Sequence, residues 1–60
     1  SGNAQAALAA GKTYDPGVLA ELGARGITPD RTQARRWYQR AVDLGETEAT
    51  MRLRTLDSTP

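Results

Sequence analysis

One stretch of the sequence, DRTQARRWYQRAVDLG from Asp30 to Gly45, constrains the fold more than any other. Its small and aromatic residues recur at helical intervals: Ala34, Trp37, Tyr38, Ala41 and Gly45. This spacing lines up one face of an α-helix. Asp30 is a favourable N-cap, Gln33 completes a capping-box pattern, and Gly45 suits the left-handed conformation that ends many helices. The stretch therefore predicts an amphipathic helix whose aromatic face packs inward.

The composition limits how such a chain can be stabilised. Sixty residues correspond to one small domain or a piece of one, and a chain of this size buries only about 60% of its unfolded surface. The sequence contains no cysteine and no histidine, so disulfide bonds, thiolate metal sites and the commonest general base are excluded. Alanine is abundant, phenylalanine is absent and runs of β-branched residues are missing, which favours an all-α fold.

Charge and hydropathy argue against two classes of partner. The net charge is +1, which does not indicate a nucleic-acid-binding protein. No stretch approaches the roughly 20 apolar residues of a membrane span, so we expect no membrane insertion by this segment. The chain begins with Ser-Gly rather than Met, and we therefore expect it to be part of a longer protein.

Three further helices are expected around the central one. The first covers residues 4–13, an alanine-rich segment. The second covers residues 16–24, with Asp15 as N-cap and a proline at the first helical position. The last covers residues 46–56, and residues 57–60 form a polar tail that we expect to be disordered.

Gly11 lies inside the first predicted helix, where a glycine costs about 0.8–1 kcal/mol relative to alanine. Close approach of another backbone would explain a glycine at this position. The alternative is that Gly11 marks the start of the C-terminal end of the helix.

The first and last helices form a weak internal repeat. Small residues of the first helix recur 43 positions later, so that Gly2 matches Gly45 and Ala6 matches Ala49. A period of this length is typical of α-solenoids built from helix pairs.

Together with the central helix, this pattern resembles a Sel1-like repeat, a relative of the tetratricopeptide repeat. The family pattern is G-x-x-x-A-x-x-x-L-G-x-x-Y, then a loop, then D-x-x-x-A-x-x-W-Y-x-x-A-x-x-x-G. The matching residues are Gly2, Ala6, Ala10 (in the Leu place), Gly11, Tyr14, Asp30, Ala34, Trp37, Tyr38, Ala41 and Gly45. The resemblance covers residues 2 to about 53 and implies antiparallel helix pairs of the type that stack into a right-handed scaffold for protein–protein contacts.

The chain departs from the family pattern in two places. The connection between Tyr14 and Asp30 is longer than the family loop and is expected to hold an extra helical turn. In the second, incomplete repeat, Arg54 replaces the close-packing glycine and Asp57 replaces the tyrosine. Charged residues at these places are typical of a terminal capping helix. We therefore predict that residues 1–56 form a single repeat with a capping helix.

The predicted core joins the inner faces of all four helices. It consists of Ala6, Ala10, Gly11, Tyr14, Leu19, Leu22, Ala34, Trp37, Tyr38, Ala41, Gly45, Ala49 and Leu53. If the indole N–H and phenol O–H of the aromatic pair are buried, they need partners, and we expect these near Thr28 or around Tyr14.

No residue pattern indicates catalysis or a cofactor. Glu46 and Glu48 diverge on a helix and make a poor acid–base pair. Trp37 and Tyr38 could form a ligand-stacking platform, although their spacing with small residues favours the core. Four arginines flank the central helix and could meet phosphate or an acidic partner: Arg31, Arg35, Arg36 and Arg40. Nearby acids favour a solvated, charge-balanced face instead: Asp30, Asp43, Glu46 and Glu48.

The sequence therefore predicts a non-catalytic module that binds a protein or peptide, with no cofactor, metal or nucleic acid. By resemblance, the exposed side of the first helix and the start of the last would form the contact surface. The candidates are Gln5, Ala9, Lys12, Glu48 and Arg52. The alternative is a purely structural unit that caps a longer array or self-associates, for example as a homodimer. The resemblance also favours a location in the bacterial cell envelope.

Overall fold

The computed structural model describes residues 2–58, and within this range it contains helices and no strand. The elements are α1 (Gly2–Tyr14), α2 (Pro16–Leu22), α3 (Arg31–Asp43) and α4 (Glu48–Ser58). α3 packs against both α1 and α4, whereas α2 packs against α1. The predicted all-α class is confirmed for the described residues, and the extra helix between α1 and α3 is present.

α3 runs antiparallel to both of its neighbours. The amide of Asp30 donates to the carbonyl of Tyr14 at 2.9 Å, so the start of α3 meets the end of α1. The guanidinium of Arg35 pairs with the carboxylate of Asp57, so the start of α3 also meets the end of α4. The predicted cap is present, since Asp30 Oδ1 accepts a hydrogen bond from the amide of Gln33 at 3.1 Å.

The inner face of α3 is the centre of the core. Ala34, Tyr38 and Ala41 are fully buried, while Trp37 is half-buried at the edge of the cluster. Gly45 has a φ of 98°, which ends the helix as expected. Its predicted core role is wrong, however, because Gly45 is exposed in the connection to α4, beyond the packed turns.

The rotation of α1 differs from the predicted one. Its buried residues are Ala4, Ala7, Leu8 and Gly11. Ala6 is exposed and Ala10 is half-buried, so the predicted inner position of Ala6 is wrong. Burying Leu8, the largest aliphatic side chain of α1, turns Ala6 outward because the two are two positions apart on the helix.

Gly11 lies directly against the ring of Tyr38. A Cβ atom at Gly11 would lie 2.5 Å from Cε1 and 3.1 Å from Cγ of Tyr38. Because such distances are far below van der Waals contact, only glycine at position 11 allows the Tyr38 ring to pack against α1. α1 continues to Tyr14, so the close approach, to an aromatic ring rather than to a backbone, accounts for Gly11.

α2 is a short helix with well-formed ends. Asp15 Oδ1 accepts from the amide of Gly17 at 2.9 Å, and Gly23 closes the helix with a φ of 63°. Leu19 is buried, whereas Leu22 is 74% exposed and its predicted core position is wrong. Leu22 is the last residue of α2 and extends past the turn that packs on α1.

α4 begins two residues later than predicted and also ends two residues later. Ala49 and Leu56 are buried, and Leu53 is half-buried against the same cluster. Asp57 and Ser58 are helical rather than part of a disordered tail. The hydroxyl of Ser58 donates to the carbonyl of Thr55 at 3.0 Å, which supports the last turn. Residues 59–60 of the predicted tail lie outside the described range.

Candidate functional site

The five predicted contact residues lie on neighbouring parts of α1 and α4, and we call them the α1–α4 surface. Gln5, Ala9 and Lys12 follow an i, i+4, i+7 spacing on one side of α1, with Gln5 and Ala9 exposed. Glu48 and Arg52 are one turn apart on α4.

Three of these residues form a charged cluster that bridges the two helices. Lys12 Nζ lies 3.1 Å from Glu48 Oε2, and Arg52 Nε lies 3.3 Å from the same oxygen. The hydrogen bond and charge of Lys12, followed by those of Arg52, hold the pKa of the Glu48 carboxyl below its usual value. The predicted residues are therefore brought together at Lys12, Glu48 and Arg52, while Gln5 and Ala9 extend the surface along α1.

The chemistry of the α1–α4 surface suits recognition rather than reaction. Its side chains offer one shared carboxylate, two cations, an amide and a methyl group. The ion pairs are a third to a half exposed, so solvent and salt weaken them. Such a surface can make polar contacts to a polypeptide, and it holds no activated nucleophile.

A second feature, which the sequence analysis missed, is a groove between α1 and α3. Its volume is about 340 Å³. The residues that line it are Asn3, Ala6, Ala7, Ala10, Trp37, Arg40 and Leu44. A sequence signal did exist, because Ala6 and Ala10 are one turn apart and both belong to the repeat pattern. The repeat pattern predicts that both lie in the core, whereas Leu8 occupies that position in the structure.

The groove is lined by both apolar and polar side chains. The half-buried Trp37, three alanines and Leu44, which is 41% exposed, supply the apolar part. Asn3 and Arg40 supply the polar part, and Arg36 is one turn before Arg40 on α3. Neither guanidinium forms an ion pair within residues 2–58. This part of the molecule therefore presents apolar surface beside a local excess of positive charge.

Of the acids expected to offset the arginine flank, Glu48 is bound by other cations, whereas Asp43 lies beside Arg36 and Arg40 and offsets one of their two charges. Asp43 Oδ1 accepts from Gln39 Nε2 at 3.2 Å, and Glu48 binds Lys12 and Arg52. One of the four flanking arginines, Arg35, forms an ion pair with Asp57 of α4. Asp57 is not among the acids that the sequence predicted to balance the flank.

Tyr38 and Asp15 form a buried pair that ties the start of α2 to the core. The phenol of Tyr38 donates to Asp15 Oδ2 at 2.6 Å, and Asp15 is only 6% exposed. Burial, followed by the hydrogen bond and negative charge of Asp15, raises the pKa of Tyr38 above its usual value. Of the two regions expected to supply a partner, the chain around Tyr14 does so, through the carboxylate of Asp15. Neither residue lines the groove, so the pair is structural.

A metal-binding cluster and a membrane-spanning helix are both absent from the described part of the chain. Between residues 2 and 58, no three acidic side chains gather closely enough to hold a metal ion. Over the same range, none of the helices has both the length and the hydrophobicity needed to cross a bilayer. Comparisons with protein families, curated proteins and solved structures gave no match.

Proposed function

We propose that this chain is a non-catalytic helical module of the Sel1-like type that binds a protein or peptide and acts as a scaffold. The observation that supports this function best is the charged cluster across the α1–α4 surface. Lys12, Glu48 and Arg52 tie together two helices that do not follow one another in the chain. Because α1 and α4 both pack on α3, the surface that they share presents its exposed groups in a defined geometry, which reduces the entropy lost on binding.

The partner proposed for this surface is a polypeptide with mixed polar character. The exposed amide of Gln5 can pair with a backbone, and the methyl of Ala9 leaves room for a close approach. Lys12 and Arg52 already share one carboxylate, so further acidic groups of a partner would compete with Glu48.

Selection of peptides from a phage-displayed library of random linear peptides, with the immobilised chain as bait, tests this function. We expect enriched peptides whose affinity falls by about tenfold in Ala9→Glu, equivalent to about 1.4 kcal/mol. The matched control is Ala6→Glu, which places the same charge on the same helix outside the surface. Failure to enrich any peptide, or equal binding by Ala9→Glu, would count against the α1–α4 surface.

A second candidate function is the terminal cap of a longer helical array. The observation that favours it is the polar outer side of α4. Thr47, Thr50 and Arg54 stand where the repeat offset places Ala4, Ala7 and Gly11 in α1, and all three are exposed. Met51, at the place of Leu8, is the one large apolar residue of this side and is 69% exposed, so the side offers little apolar surface to a further repeat. A sedimentation-equilibrium measurement separates the two functions in part, since a monomer favours the module and a dimer favours capping or self-association.

A further inference from the structure

The internal repeat indicates what the groove between α1 and α3 can receive. The offset of 43 residues relates Ala6 to Ala49 and Ala10 to Leu53. In α4, Ala49 is fully buried and Leu53 is half-buried, because α3 lies against this side of the helix. In α1, the equivalent Ala6 is exposed and lines the groove. The α3–α4 contact is therefore a template, within this chain, for a helix that packs on this side of α1.

The opposite wall of the groove also suits a helix. Trp37 is packed on one side against the core and contributes the rest of its ring to the groove, and Leu44 continues the apolar wall. Small residues on one wall allow the axis of an incoming helix to approach closely, and the ring fills the space beside it. Because the groove is partly open to solvent rather than enclosed, it suits an element laid across the surface better than a small molecule that needs an enclosed pocket.

Charge distinguishes between possible occupants. Arg36 and Arg40 are one turn apart on α3 and form no ion pair within residues 2–58. The nearby carboxylate of Asp43 accepts a hydrogen bond from Gln39 and balances one of the two charges, so an excess of one positive charge remains. Pairing of two copies of the chain through this groove would bring both sets of arginines to one interface, where like charges repel. An occupant with carboxylates at its edge would be attracted instead.

We propose that the groove docks an acidic amphipathic helix from another polypeptide. Its small aliphatic stripe would lie on Ala6, Ala10 and Trp37, and its carboxylates would face Arg36 and Arg40. Binding of this type uses anchors spaced at i, i+3, i+4 and i+7 along the incoming helix. The groove lies on a different side of α1 from Gln5 and Ala9, so this site is separate from the one proposed above and selects a different partner chemistry.

The single tryptophan makes the test direct, because Trp37 lies in the groove itself. The probe is a synthetic peptide of about 20 residues, long enough to hold some helix in isolation. It carries an alanine–leucine stripe with glutamates on both edges and contains no tryptophan or tyrosine. The control peptide has the same stripe with lysines in place of the glutamates. Titration of the full chain with the acidic peptide should give a saturable blue shift of the Trp37 emission.

Two pairs of variants locate the binding. Ala6→Glu places a charge inside the groove and should weaken the acidic peptide by about tenfold, whereas Ala9→Glu, with the same change on an exposed position of the same helix, should stay within about twofold. Arg40→Gln should weaken binding and reduce its dependence on salt, whereas Arg54→Gln, on the outer side of α4, should not. Circular dichroism of all four variants checks that each is folded.

Three results would overturn the proposal. The first is an emission that does not respond to the acidic peptide, and the second is equal binding of the acidic and basic peptides. The third is a concentration-dependent dimer whose formation alone shifts the Trp37 emission and is abolished by Ala6→Glu, which would show that a second copy fills the groove. Ala6→Glu is the variant in the groove test and the control in the test of the α1–α4 surface, and Ala9→Glu has the opposite roles. Failure of the groove proposal is therefore distinguishable from failure of the α1–α4 surface.

Discussion

α1 and α4 occupy related positions on either side of α3, yet they are not equivalent. Each packs one side against α3, and the repeat offset places the two sequences in register. α1 contacts the ring of Tyr38 through a glycine, Gly11, whereas α4 contributes Ala49 and Leu56 to the same core. One helix fits around a large side chain, and the other supplies apolar volume.

The larger difference lies on the sides that face away from α3. Ala6 and Ala10 leave α1 with a second, small and apolar side that lines the groove. The outer side of α4 is polar, with Thr50 and Arg54 exposed and Met51 as its one large apolar residue, 69% exposed. A helix with two apolar sides can pack against two neighbours, whereas a helix with a single apolar side can pack against one.

The strongest test of this comparison exchanges charge between equivalent positions. Ala49→Glu places a carboxylate where the side chain is fully buried, and it should cost about 3–5 kcal/mol of unfolding free energy because the charge has no partner. Ala6→Glu, at the equivalent exposed position of α1, should change stability by less than about 0.5 kcal/mol. Thermal melts followed by circular dichroism compare the two. A similar loss of unfolding free energy in the two variants would contradict the difference in burial between Ala49 and Ala6.

A smaller effect is expected at the glycine that distinguishes α1. Gly11→Ala should destabilise the fold by about 2 kcal/mol, since overpacking against the buried Tyr38 ring outweighs the gain in helix propensity. The matched control is Gly17→Ala in α2, where a Cβ meets its nearest neighbour at an ordinary 3.4 Å, so the fold should be equally stable or more so. Urea unfolding measures both, and a stabilised Gly11→Ala would contradict the tight contact.

The same ring offers a test of its hydroxyl. Tyr38→Phe should cost about 1–1.5 kcal/mol near neutral pH, because Asp15 loses a buried hydrogen bond. Burial raises the pKa of Tyr38 in the folded state, so its contribution is complete below about pH 10 and is lost at higher pH, where the unfolded tyrosine ionises first. Urea unfolding between about pH 8 and about pH 11 should show a steeper alkaline loss in the wild type than in Tyr38→Phe. Tyr14→Phe leaves the Tyr38–Asp15 pair in place and should keep the wild-type profile.

The smallest effect is expected where α1 and α4 meet at the surface. Lys12 lowers the pKa of Glu48, so the bridge contributes stability above the ordinary carboxyl pKa of 4.5 and loses it as the pH falls through the lower folded-state value. Glu48→Gln should therefore lower the melting temperature slightly at neutral pH and match the wild type in strong acid. Added salt should reduce the difference, and a difference that salt leaves unchanged would argue against an electrostatic bridge.

Much of the local structure was predictable because it depends on neighbouring residues. The caps at Asp15 and Asp30, the end of α3 at Gly45 and the inward face of α3 all follow from short sequence patterns. The i, i+4, i+7 spacing of Gln5, Ala9 and Lys12 also placed these contact candidates on one side of α1.

The sequence by itself therefore determined the presence of four helices, the caps at which α2 and α3 begin, and the strongly amphipathic face of α3. Only the tertiary structure decided the rotation of α1, the burial of Asp15 beneath Tyr38 and the position of the groove. The physical reason is that α1 has small residues on nearly all sides, so hydrophobic burial distinguishes its faces weakly. Seating Leu8 in the core and Gly11 against the Tyr38 ring selects one rotation, and that rotation leaves Ala6 and Ala10 facing outward beside Trp37.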